Sequence, residues 1–115
     1  MELRVDVSTQ RVELWEGGDL KRFSVRAFPD AAGAGAAGGL ARALRANDAG
    51  RVDPSGDALI PPAAIRRLAH RAATEAGTAL DPAWEAEFSS MLDDAATRGW
   101  ISGDGSVQAH IEWEE

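Results

Sequence analysis

Residues 2–15 read ELRVDVSTQRVELW, and the alternation in that stretch decides the fold class. Leu3, Val5 and Val7 alternate with Glu2, Arg4 and Asp6, the period of a strand that buries one face. Ser8-Thr9-Gln10 supplies a turn, after which Val12 and Leu14 alternate with Arg11, Glu13 and Trp15. Gly17-Gly18 follows, a pair that tolerates positive φ and suits a two-residue hairpin. A third strand is predicted from Leu20 to about Phe28, with Phe23, Val25 and Ala27 on one side and Arg22, Ser24 and Arg26 on the other. Setting Val12 opposite Phe23 would put Leu14 against Lys21, a poor pair, so the register stays open.

The other end of the chain repeats the pattern. Trp100-Ile101, the turn Gly103-Asp104-Gly105, and then Val107, Ala109, Ile111 and Trp113 on alternate positions describe a hairpin, with Gln108, His110 and Glu112 facing away. A lone hairpin is marginal in water, so the last strand is expected to join the N-terminal meander.

Two helices are predicted between these ends. Pro61-Pro62 opens the first and Gly77 closes it, and Ile65, Leu68, Ala69, Ala72, Ala73 and Ala76 share one arc. Asp81 is a good N-cap for the second, with Pro82 at its first position and Gly99 fit for a left-handed C-terminal residue. Trp84, Phe88, Met91, Leu92 and Ala95 line one side of it. Residues 31–39, AAGAGAAGG, read as a flexible loop feeding a short helix from Leu40 to Ala46, because glycine disfavours helix by about 1 kcal/mol per residue. Residues 47–58 read as a turn-rich loop. The expected fold is a single α+β domain over residues 1–115. In it an antiparallel sheet, a three-stranded N-terminal meander plus the C-terminal hairpin, carries the two main helices on one face.

Composition narrows the chemistry. Of 115 residues, 23 are alanine, and Leu, Ile, Val and Phe make up only about 19%, so the core must be thin. The chain has no cysteine, which removes disulfides, thiolate metal sites and thiol nucleophiles. No cofactor or metal is expected: the acidic pairs lack the spacing of a calcium loop, and no phosphate-binding or nucleophile motif is present. No run is long enough for a membrane helix and the start, MELRVDVS, is no secretory signal. A cytoplasmic protein is the expectation. The net charge of −7 is uneven, since residues 81–115 alone carry −8. An acidic chain is a poor general binder of nucleic acid.

Three groups of residues are candidates for function. Arg66, Arg67, His70 and Arg71, with Arg42, Arg45 and Arg51 upstream, form a cationic helix face suited to an anion or an acidic partner; the plainer alternative is a solvated face. His110 and Glu112 share a strand face and offer an acid–base pair, set against the ordinary wet face of a strand. Trp15, out of phase with the buried set, and Trp113, near the chain's end, are interface candidates, because tryptophan is enriched in binding hot spots.

The order helix, short turn, helix and then RGWISGDGSVQAHIEW resembles the winged helix-turn-helix pattern, on Leu92, Arg98, Gly99, Trp100, Ile101 and the Gly103–Gly105 turn. The resemblance implies a recognition helix at 82–98 and a hairpin wing. That helix carries Glu85, Glu87, Asp93 and Asp94 against Arg98, the wrong sign for a phosphate backbone, which points to peptide or protein binding. The expected function is a non-catalytic protein-interaction or regulatory domain, as a homodimer or with a protein partner. Two alternatives stand beside it: a winged-helix regulator using Arg66, Arg67 and Arg71, and a small enzyme or ligand binder using His110.

Overall fold

The computed structural model describes residues 1–16, 20, 23–29 and 36–114. In chain order its elements are β1 (Glu2–Asp6), β2 (Arg11–Trp15), β3 (Ser24–Phe28), α1 (Ala36–Ala46), β4 (Arg51–Val52), β5 (Ala58–Ile60), α2 (Pro62–Glu75), α3 (Pro82–Thr97) and β6 (Val107–Trp113). The strands form one six-stranded sheet in the order β2-β1-β3-β6-β5-β4.

That sheet is mixed, which corrects the antiparallel reading. β1 pairs antiparallel with β2, Leu3 facing Leu14 and Val5 facing Val12, as the turn at Ser8–Gln10 dictates. β3 then pairs with β1 instead of β2, and it runs parallel to β1. The direction of β3 was legible and its neighbour was not. β2 returns the chain to the end where β1 began, so the next strand must run with β1 whichever side it takes. Two strand spacings separate β2 from β3, roughly 10 Å, and the intervening eight residues (16–23) reach that distance easily. Gly17-Gly18, the predicted hairpin, lies outside the described residues. Pairing β3 with β1 gives both edges of β1 a partner.

The last strand does reach the N-terminal strands, but β6 lies parallel to β3, Val25 facing Ile111 and Ala27 facing Trp113. Its other side takes β5, antiparallel, with Ala58 facing Ala109 and Ile60 facing Val107. The expected wing hairpin shrinks to a single bridge between Ile101 and Val107. A strand flanked by β3 and β5 inside a sheet is no wing, so the winged-helix resemblance does not extend to the fold.

Two further elements were read differently from the sequence. β4 and β5 flank the turn Asp53–Asp57, whose chemistry was visible: Asp53 accepts from the Ser55 N–H at 3.1 Å and its own N–H donates to Asp57 O at 2.7 Å. Strands of two and three residues are too short to show a period. α1 begins at Ala36, inside the stretch read as a loop, and buries Leu40, Ala43 and Leu44; residues 31–35 lie outside the described residues. The glycine that argued against helix has a packing reason, since a Cβ on Gly39 would lie 2.5 Å from Val7 Cγ1.

All three helices cover one face of the sheet. Leu3, Val5, Val12, Leu14, Val25, Ala27, Ala58, Ile60, Val107 and Ala109 meet Leu40 and Leu44 of α1, Ile65 and Leu68 of α2, and Trp84 and Phe88 of α3 in one core. Asp81 caps α3 by accepting from the Ala83 N–H at 2.8 Å. Both long helices end as their glycines predict. Gly77 and Gly99 take φ of 75° and 79°, and the N–H groups of Thr78 and Trp100 reach back to Ala73 O and Ala95 O. Among the described residues no helix is long and apolar enough to cross a membrane.

Candidate functional site

The face of the sheet turned away from the helices, which no described helix covers, is built by the other half of each strand's alternation. Glu2, Arg4 and Asp6 of β1, Arg11, Glu13 and Trp15 of β2, Ser24, Arg26 and Phe28 of β3, and His110 and Glu112 of β6 share it by register. Its centre is an arginine. Arg26 donates to Glu2, to Glu114 at 2.5 Å and to Glu112 at 3.1 Å, so one guanidinium ties β1, β3 and the end of β6 together. Arg4 donates to the other Glu2 oxygen at 2.9 Å. A shallow groove of about 560 Å³ runs along this network, from Glu16 past Arg4 and Arg26 to Phe28 and Glu114.

Electrostatics follow from that wiring. Burial works against the Glu2 carboxylate, but the hydrogen bonds from Arg26 and Arg4 outweigh it and hold its pKa below the ordinary 4.5. Hydrogen bonds from Arg26 to Glu2 and Glu114 push the guanidinium's own pKa up. A carboxyl whose pKa falls on folding adds stability that is fully present above its unfolded value and lost as pH drops through its folded one. Stability is therefore expected to fall as pH is lowered below about 4.5, and Glu2→Gln should flatten that slope. Urea denaturation of both proteins across this range checks it, and parallel slopes would remove Glu2 from the account.

Trp15 sits at one margin of the face, 45% exposed. Arg4 lies over its ring at 4.0 Å and its indole N–H donates to Glu13 at 3.2 Å, so the exposed ring is held in one orientation. Trp113, 39% exposed, stands opposite Ala27 and so belongs to the helix side of the sheet. The two interface candidates therefore lie on different faces.

The cationic helix face is divided among three structural contacts. Arg66 donates to Glu85 at 2.7 Å and lies 5.0 Å over the Phe88 ring, linking α2 to α3. Arg67 donates to the carbonyls of Asn47 and Asp48, at 2.6 and 3.3 Å, just past the end of α1. Arg71 donates to the Val12 carbonyl on β2 and lies 3.9 Å from Glu75. His70 is exposed between them. Upstream, Arg51 pairs with Asp104 at 2.7 Å, while Arg42 and Arg45 are exposed on α1.

His110 and Glu112 share the uncovered face but point to different partners. His110 Nδ1 lies 3.9 Å from Asp57 and its side chain is 75% exposed, whereas Glu112 is bonded to Arg26. Gln108 donates to the same Asp57 at 2.6 Å. Asp104 in the last turn accepts from Ser102, Arg51 and the Ser106 N–H, which hold its carboxyl far below the usual carboxylate range. Among the described residues no group of three or more His, Asp or Glu side chains is placed to hold a metal ion.

Sequence reading missed Arg26, Glu2, Arg4 and Glu114 as a unit. The polar parity of Glu2, Arg4 and Arg26 was visible, yet only the parallel β1-β3-β6 order brings them together. Set against protein-family models, curated proteins and solved structures, the chain matches none.

Proposed function

We propose that the chain is a non-catalytic, cytoplasmic protein-interaction domain that binds a basic protein surface through the uncovered face of its sheet. The observation that carries this reading is Trp15, an exposed indole fixed by Arg4 and Glu13 before any partner arrives. An aromatic anchor already held in place loses little freedom on binding, which favours affinity. The sign of the partner follows from the surroundings. Among the described residues there, Glu2, Asp6, Glu13, Glu16, Glu112 and Glu114 outnumber Arg4, Arg11 and Arg26, so a basic surface is attracted and an acidic one repelled. A second copy docked face to face would bring two acidic surpluses together, which ranks the homodimer below a basic partner. The arginines of α2 favour this reading over an anion site, since Arg66, Arg67 and Arg71 are each engaged within the fold.

Selection from a displayed library of short peptides tests it. Lys- or Arg-rich peptides carrying an apolar residue should be enriched, and their affinity for Trp15→Ala should drop by about thirtyfold, the loss typical of a hot spot. Equal binding to the variant, or enrichment of acidic peptides, would overturn the proposal.

A further inference from the structure

Both outer strands of the sheet are shielded, while an inner strand is left partly open. At one margin α2 packs along β2 and Arg71 donates to the Val12 carbonyl, and at the other β4 is only two residues long. Short edges and covered edges are the usual ways to stop unwanted strand pairing. β6 departs from this. It pairs with β3 through His110–Trp113, but with β5 only through Val107–Ala109. Past Ala58 the β5 chain turns away into Asp53–Asp57, and no described strand flanks Ile111 or Trp113 on that side.

The backbone there is aimed outward. The N–H groups of Gln108 and Glu114 donate toward the β3 side, to Trp100 O and Ala27 O. Hydrogen-bonding groups alternate sides along a strand. The N–H and C=O of Ile111 and Trp113 therefore point to the open side. Trp113 is also one of the exposed large apolar side chains.

We propose that this open edge of β6 accepts an added strand from a partner protein, an extended segment in which apolar residues alternate with lysine or arginine. The added strand continues the line of β5 and, like β5, runs antiparallel to β6. Its residues opposite Ile111 and Trp113 fall on the helix side, where an apolar side chain covers exposed indole. Those opposite His110 and Glu112 fall on the uncovered face, beside the carboxylates of Glu112, Glu114 and Asp57. Charge also decides against a second copy of the chain. An antiparallel pair of β6 strands with Ile111 facing the other copy's Trp113 sets Glu112 directly against Glu112, and like charges directly opposite destabilise a pair. The site lies three strands from Trp15 and does not depend on it.

A short synthetic peptide of alternating valine and lysine with blocked ends is the probe, with alternating valine and glutamate as control. Amide hydrogen exchange of the protein alone should show Glu112 and Glu114 protected and Ile111 and Trp113 fast. Adding the lysine peptide should slow Ile111 and Trp113, and Glu112→Lys should weaken the affinity read from that protection by about tenfold. Glu112→Gln, which keeps the shape of the side chain, should lie between the two. Binding without protection at Ile111 and Trp113, or equal binding of the glutamate peptide, would overturn the proposal. Protection that appears on raising protein concentration alone would overturn it in favour of self-pairing.

Discussion

Phe88→Ala is expected to lower the unfolding free energy by about 3–5 kcal/mol, a large share of the roughly 5–15 kcal/mol typical of a domain. Phe88 is fully buried and stacks on Trp84 with ring centroids 4.9 Å apart. Arg66, held by Glu85, lies over its ring. On α3 only Trp84, Phe88 and Ala95 are buried, so one truncation removes much of what holds this helix to the sheet. The loss includes the stacking contribution as well as the transfer of apolar area. Phe88→Leu, which keeps most of the volume, should cost less than about 1.5 kcal/mol. Urea denaturation followed by tryptophan fluorescence measures both. A loss below about 1 kcal/mol for the alanine variant would mean that Phe88 does not anchor α3.

Gly50→Ala is expected to be comparably damaging, for a reason of backbone rather than core. Gly50 holds φ at +120°, and a Cβ added there would meet the Leu59 carbonyl oxygen at 2.1 Å. A backbone oxygen cannot swing aside as a side-chain tip can, so either β4 parts from β5 or both shift. Strain in a disfavoured φ region and overpacking each cost about 1–3 kcal/mol, and here they add. Gly56→Ala separates the two causes, since Gly56 has φ of +96° with open space around the new atom. The Gly56 variant should lose only the conformational part. Equal losses in the two proteins, read by chemical denaturation, would show that contact with Leu59 plays no role.

What the sequence revealed follows from what a period can encode. Alternation at Leu3, Val5, Val12, Leu14, Val25 and Ala27 assigns each side chain to a face, and those faces hold in the structure. Caps and stops are equally local, so Asp81, Gly77 and Gly99 behave as read. A period carries no record of which strand lies alongside, and so the β1-β3 and β3-β6 neighbours stayed hidden. The same limit governs the uncovered face. Trp15 was found because its phase is a local property, whereas Arg26 owes its three carboxylate partners to strands far apart in the chain. Trp113 was placed by phase on the buried side, and it does lie there, yet its place at the strand's end leaves it exposed. His110 was paired with Glu112 by spacing along the strand, but its nearest carboxylate belongs to the turn before β5.

The position of residues 107–113 between β3 and β5 has a consequence for how the molecule comes into being. As the chain is synthesised, the first three strands can meet early, and so can the small β4-β5 ribbon; α1 touches both, but no strand pairing joins them until this segment arrives. Closing a loop from residue 28 to residue 107 is slow because distant partners must find each other before any contact rewards them. Until then two separate patches of unpaired backbone are open to wrong associations. The keystone of this arch is laid after both its flanks, and a ribosome stalled before residue 107 would hold a sheet in two parts, with the facing edges of β3 and β5 unpaired.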